Sequence, residues 1–500
     1  MEERLAQMSA LPVTVNQRAL IEKILARYSG EYTLYREALQ NADDAGASCV
    51  EIWLGGTGEG TVDLERPMMD VEIRNDGAAF TSLDWKRLTT IAEGNPDESK
   101  IGNFGVGFYS NFALSDNPAV QSGDSFMQFF FEGDQLFIKV LHDLAPETDT
   151  SAGSSSTSTP SSSTESKSLS SRGNPWTSII LKLREPTPVP DQEPFSRFLA
   201  TSLGFTSNLR IISGIRNSNT DCRGHSTDFL HTAVFINGHV VTRLSKTVAP
   251  PKSLSLSVAG LPAVSPRKHL RIDSLEDTPV QIRAEVAAII GFRKKSVLPT
   301  ISTPAAASTS FAARMLSGFL SSKSSTPPPP ALTPTPPPIL DDPLALRTTT
   351  LFLRTIQATL KVTPTPHLAS ELLRATKKPL PQATRVSIIF TSKDEADASE
   401  PDAEEGVRRI FAGLRSDGRK NGRIFIGFST HQSTGFSGAI AASFVPTVER
   451  ESIDLQSTYV AEWNRELLWA AGIVGRHIYE LEMSGQLQFL PPSLLLADCD

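Results

Sequence analysis

The stretch from Leu34 to Ser48, LYREALQNADDAGAS, constrains the fold of this chain more than any other. On a helix, Glu37, Asn41 and Asp44 stand at i, i+4 and i+7 and fall in one narrow stripe. Leu34, Ala38, Ala42 and Ala45 form the stripe beside it. The apolar stripe has to face a sheet, so the polar row lies at the edge of the buried face, where it can line a pocket. Taken alone, such a trio fits a solvated helix face as well. Two later stretches point to a site instead. VEIRNDGAAF is a short apolar strand that runs into Asn75, Asp76 and Gly77 and presents a carboxylate at its end. KIGNFGVGFYSNF then sets Gly102, Gly105 and Gly107 just before a helix. There glycine lets a ligand approach the backbone, and the helix N-terminus offers free N–H groups to phosphate oxygens.

The periodicity up to residue 190 predicts helices over 17–28, 33–45 and 83–91, strands over 49–54 and 71–74, and a glycine-rich turn leading into a helix over 105–112. Strands over 126–131, 135–141 and 178–183 complete an α+β sandwich, a mixed sheet with helices on one face. The Ser/Thr-rich tract 150–172 interrupts this domain as a disordered insertion, because too few apolar residues are present to offset ordering entropy. Residues 191–298 read as an α/β transducer-like segment. Residues 299–343, with STPPPPALTPTPPPILDDP, read as an extended Pro/Ser-rich linker or long loop, in which FAARMLSGFL is helix-compatible. Residues 344–500 complete a second α/β region, with a strand at TTTLFLRTIQATLKV, a helix at HLASELLRATKK, a strand at RVSIIF, a long acidic helix ending EEGVRRIFAGL and a strand at GRIFIGF.

With 500 residues the chain has room for about two to four domains. The net charge of -7 argues against nucleic acid as the main ligand, since phosphate binding leans on clustered cations. Cys49, Cys222 and Cys499 stand far apart, which indicates neither a disulfide framework nor a zinc site. The N-terminus, MEERLAQMSALPV, lacks a signal-peptide core, and no run reaches the roughly 20 apolar residues of a membrane span. The reading is a cytoplasmic protein without a membrane span, the nucleus left open.

The three motifs, followed by WTSIILKLRE, resemble the ATP-binding domain shared by DNA gyrase, the heat-shock-ninety chaperones, histidine kinases and MutL. IGNFGVGFYS looks most like the chaperone branch. NDGAAFTSLDWKRLTTIAEGNPDESKIGNFGVGFYS and PTVERESIDLQSTYVAEWNRELLW resemble sacsin-type chaperone ATPases and a related family of large uncharacterised fungal proteins. The resemblance covers about the first 190 residues closely and the rest loosely, and it implies a Bergerat-type sandwich, ATP and Mg²⁺ as cofactors, slow ATP hydrolysis and chaperone-like work on protein clients, with a homodimer as one assembly. It makes Glu37 the general base and Asn41 the Mg²⁺ ligand, and sets Asp44 near the nucleotide. Asp76 would accept from the adenine amino group, Gly77 would leave room for the ring, and Thr177 would assist Asp76 through a water. Gly102, Gly105, Val106, Gly107 and Phe108 would wrap the phosphates, and IAEGNPDESK would form a short lid. The sequence departs from the family pattern at Ala79, where a second glycine is usual.

Two other readings of the same residues stand beside it: an ATP-gated scaffold without turnover, and a MutL-like repair ATPase, since TAVFINGHVVTRL resembles that family's second-domain strand. No GxxxxGK[ST] occurs, which argues against a P-loop enzyme. In related two-domain ATPases a Lys or Arg of the second domain reaches the γ-phosphate. Arg450, Lys377, Lys378 and Lys246 are the candidates.

Overall fold

A computed structural model describes residues 15–26, 32–56, 64, 66–91, 107–141, 176–206, 232–255, 268–287, 344–399, 409–415, 422–447 and 451–489. The insertion 150–172, the segment 299–343 with FAARMLSGFL, and the glycines at 102 and 105 lie outside the described residues.

Among the described residues the first elements are α1 (Gln17–Leu25) and α2 (Thr33–Asp44), followed by β1 (Val50–Gly56) and β2 (Met68–Asn75). Next come α3 (Ser82–Leu88), a 3-10 helix (Gly107–Ala113), β3 (Ala119–Ser122), β4 (Ser125–Glu132), β5 (Gln135–Leu141) and β6 (Thr177–Thr187). α4 (Gln192–Phe205) leads to β7 (Thr232–Ile236), β8 (His239–Val248), β9 (Lys252–Leu254) and the long pair β10 (Leu270–Ala287) and β11 (Leu346–Val362). The remainder is α5 (Pro366–Thr376), β12 (Ala383–Phe390), α6 (Lys393–Ala398), β13 (Arg423–Phe425), β14 (Ser429–Ser433), β15 (Ala439–Ala442) and α7 (Thr458–Met483).

The fold is α+β, and among the described residues one large mixed sheet of 15 strands is ordered β14-β13-β15-β12-β11-β10-β8-β7-β1-β2-β6-β3-β4-β5, with β9 beside β10. β7 joins the two halves of the sequence by pairing in parallel with β1, Val50 opposite Thr232 and Leu54 opposite Ile236. β1 reads as a strand because Val50, Ile52 and Leu54 alternate onto the buried face, while Glu51 and Trp53 take the other. There Trp53 stacks on Phe235 with centroids 4.0 Å apart, and the Arg74 guanidinium lies over Trp53 and Trp176.

The β10/β11 pair changes its buried face part-way along. Val280, Ile282, Ala284 and Val286 with Leu351 and Leu353 enter the core shared with α2, α4 and β1. Leu275 and Ile356, Ala358, Leu360 and Val362 enter a second core with α5, β12 and α7. The spacing of three between Leu353 and Ile356 breaks the two-residue period, so the two cores lie on opposite faces of the sheet. The crossover falls where Val280 pairs Leu353 and Pro279 pairs Arg354. A third core, around Ile21, Trp85, Tyr109, Phe112 and Phe129, holds α1, α3 and the 3-10 helix on β3 and β4.

Where the acidic sequence before Leu414 predicts a long helix, the described residues form α6 and a short 3-10 turn at Arg409–Phe411. α6 starts as a capping box, with Ser392 and Glu395 satisfying each other's backbone N–H groups. Among the described residues, no helix is long and apolar enough to cross a membrane.

Candidate functional site

The buried stripe of α2 consists of Leu34, Tyr35, Ala38, Leu39 and Ala42, which recur at three- and four-residue spacing against β1, β2 and α4. Glu37 is 5% exposed at the margin of that stripe. Its Oε1 accepts from Arg36 Nη2 at 3.3 Å. Its Oε2 faces the first residue of the 3-10 helix, and a Cβ built on Gly107 would collide with that oxygen. A side chain at this position would therefore displace the Glu37 carboxylate from its contact with the 3-10 helix. Asn41, one turn further on, is exposed, and Asp44 is half-buried in the last turn. Gln40 and Asp43, on the other flank, are buried although they are polar.

The turn after β2 docks on the end of the same helix. Ala78 N donates to Ala45 O at 3.0 Å, and Gly77 N donates to Asn75 Oδ1 at 3.1 Å. A Cβ at Gly77 would lie 2.9 Å from both Ala45 Cβ and Asn75 Oδ1, so glycine is required there by close approach. Ala79 is exposed, and among the described residues only Asn237 and Lys377 are non-glycine residues at positive φ. The Ala79 methyl thus costs the turn no backbone strain.

Asp76 is held from the start of β1. Its Oδ1 accepts the N–H groups of Ser48 and Cys49, both at 2.8 Å, and its Oδ2 accepts Ser48 Oγ at 2.5 Å. A carboxylate offers about four lone-pair sites, so Oδ2 keeps one acceptor direction. Thr177 opens β6 opposite Asn75, and its buried hydroxyl bonds to Ser122 Oγ at 2.7 Å. Ser122 Oγ also accepts from Phe80 N at 2.9 Å, which fixes the far side of the turn.

The 3-10 helix is anchored through Tyr109, whose hydroxyl donates to Leu88 O at 3.0 Å and is pushed up to about 12 by burial. Phe108 packs its ring on Phe129, with centroids 5.0 Å apart. One helix therefore gathers Glu37, the Asp76–Ala78 turn and Gly107 along its length. Gly102, Gly105, Val106, Arg450 and the expected lid over 92–100 lie outside the described residues.

The remaining second-region cations have other surroundings. Lys246, 6% exposed, donates to Leu203 O at 3.1 Å and Thr206 O at 2.7 Å, and so caps the C-terminus of α4, where a cation is favoured. Lys377 takes the left-handed position that ends α5 (φ 61°), and Lys378 is buried just behind it. α5 packs into the second core. Ser48, Ser122 and Arg36 are site neighbours that the motif reading passes over. For Ser48 the signal was a hydroxyl directly before a strand of buried alternation; Ser122 and Arg36 gave none.

A model of the Sacsin domain matches residues 15–139, which include α2, the Asp76 turn and Gly107. Sacsin of Homo sapiens is 34% identical over 114 residues, 21% of this chain and 2% of the length of that protein. The chain thus spans a very small part of this relative. The crystal structure of the N-terminal domain of a DNA repair protein aligns with a TM-score of 0.26 at 10% identity, over 53% of this chain and 71% of that one. A further family model matches residues 227–489, more than half of the 500 residues, and through it the chain belongs to the family described as "Protein of unknown function (DUF3684)".

Proposed function

We propose that this chain binds Mg-ATP on α2 and hydrolyses it slowly, as an ATPase of the gyrase, heat-shock-ninety and MutL type, to drive chaperone-like conformational work in the cytoplasm. The observation that carries the reading is the meeting of three motifs on one helix: the Glu37 carboxylate against Gly107, and the Asp76 turn locked on Ala45. The Sacsin-domain match over these residues supports it.

Asp76 reads the base. Its three donors hold the carboxylate in place, and the acceptor direction left on Oδ2 suits the exocyclic amine of adenine, whereas guanine presents a carbonyl to the same direction. Gly77 keeps the turn close to α2 and leaves its surface flat for a ring. Asn41 fits a Mg²⁺ ligand: it is exposed one turn from Glu37, and this ion takes few protein oxygens and keeps water and phosphate ligands. When bound, the ion would neutralise phosphate charge. Glu37, 5% exposed with its Oε2 facing Gly107, would accept a proton from a water held over the 3-10 helix.

Thermal unfolding tests this reading. A ligand that binds only the folded chain adds about 2.7 kcal/mol of stability at one hundred times its Kd. ATP with Mg²⁺ is expected to raise the unfolding temperature of the intact chain more than GTP with Mg²⁺ at equal concentration. In Asp76→Asn the ATP shift should fall to about half or less while the unliganded midpoint stays near that of the parent. The amide oxygen can still accept from Ser48 and Cys49, but the NH₂ group now faces the base. Equal shifts for ATP and GTP, or an undiminished ATP shift in Asp76→Asn, would show that the base is read elsewhere.

A further inference from the structure

Arg36 and Glu37 are consecutive on α2, and consecutive helix residues do not face each other. Their 3.3 Å contact therefore requires the arginine to fold back across the helix surface. What lies under it is Phe428, nearly 400 residues away in sequence: the Arg36 guanidinium sits 4.5 Å above the centre of that ring. Cation–π attraction, stronger where water is excluded, holds it there.

Phe428 belongs to a tight turn gripped from both sides of the sheet. Ile426 N donates to Phe428 O at 2.9 Å across Gly427, which has φ 72°. Ile424, Ile426 and Phe428 are built into the second core with Trp463 and Leu467 of α7. The neighbouring Phe425 stacks on Phe205 at the end of α4, with centroids 3.3 Å apart. Arg36, Gln40 and Asp43 of α2 share a groove with Ser202 of α4 and with Gly427 and Phe428. This explains why the flank of α2 opposite the proposed nucleotide face is buried although it is polar.

We propose that Phe428 is a positioning residue for Glu37: by holding Arg36 across α2 it fixes the Glu37 carboxylate against Gly107, so that the packing of the 426–428 turn in the second region sets turnover at the nucleotide site. The inference rests on the reading of Glu37 as the general base. It makes the 227–489 region a controller of hydrolysis through α2.

The test is steady-state hydrolysis beside equilibrium ATP binding on the full chain. Phe428→Leu keeps an apolar side chain in the core and removes the ring face. It should lower kcat about 3- to 10-fold, with KM and ATP affinity unchanged. Arg36→Gln should do the same, and the double variant should be no slower than either single one, as expected for residues acting through one contact. Phe428→Tyr keeps the ring and should restore the parent rate. A parent rate in Phe428→Leu, or losses that multiply in the double variant, would overturn the proposal. A parent no faster than Glu37→Ala would instead defeat the reading of Glu37. Hydrogen exchange of residues 33–44 then decides the contact without turnover: faster exchange in Phe428→Leu supports it, and unchanged exchange overturns it.

Discussion

Glu37→Ala is expected to lower the ATPase rate by a factor of about 10² to 10⁴ while leaving ATP affinity close to that of the parent, because in the proposed mechanism the carboxylate would touch the attacking water and not the nucleotide. The alanine also vacates the space against Gly107, so the 3-10 helix keeps its position without a clash. Asn41→Ala should behave differently. Loss of the proposed metal ligand would remove charge neutralisation from the bound nucleotide and from the transition state alike, so affinity and rate should fall together. Steady-state hydrolysis and equilibrium binding, measured on both variants, separate the two roles. Should Asn41→Ala lose rate alone and Glu37→Ala lose affinity, the assignments along this helix face are reversed.

Arg354→Met is expected to destabilise the chain by about 3–5 kcal/mol, the cost of leaving buried carboxylates without their counter-ion. Arg354 is 2% exposed at the point where β11 changes its buried face. Its Nη1 donates to Asp277 Oδ2 at 2.8 Å, its Nε and Nη2 to Glu395 Oε1 at 3.0 and 2.9 Å, and its Nη2 also to Gln488 O at 2.7 Å. One side chain thus ties β10, α6 and the segment after α7 together. Burial pushes the Asp277 carboxyl up against the pull of Arg354, and burial likewise pushes Glu482 up. Lys252, Asp394 and Glu395 are the other charged groups acting on this pair. A carboxyl raised in the folded state binds its proton more tightly there, so its contribution to stability is present below the unfolded pKa and lost as pH rises through the folded one. With Arg354 gone, Lys252 beside Asp277 and the backbone N–H of Lys393 at Glu482 are left to offset that loss only in part. Chemical denaturation should therefore show a deficit that is largest near neutral pH and shrinks toward about pH 5. A deficit that grows on acidification would mean that the triad is not what Arg354 stabilises.

The local elements of the site were legible because each depends on neighbours in sequence. Val50, Ile52 and Leu54 alternate, Leu34, Ala38 and Ala42 recur at four, and the Asn-Asp-Gly turn needs a residue without a Cβ beside Ala45. Long-range pairing left weaker marks. Nothing in the strand 232–236 names Val50–Leu54 as its parallel partner, since both read only as short apolar runs. The face change in β11 was written as the step of three from Leu353 to Ile356, but a single broken period reads as noise until a second core is known to cover the other side. Gln40 and Asp43 look like solvated positions on a helical wheel, and the groove they share with Ser202, Thr206 and the turn at Phe428 accounts for their burial. Lys246 looks like any free cation until the C-terminus of α4 is placed beside it.

Calorimetric titration of the intact chain with ATP in the presence of Mg²⁺ tests the central claim most directly. The account predicts saturable binding at one site per chain. Asp76→Asn should weaken that binding about 10- to 100-fold, the worth of one hydrogen bond to a charged group, about 1.5–3 kcal/mol. No heat of binding at millimolar nucleotide, or the same affinity in the parent and Asp76→Asn, would contradict it.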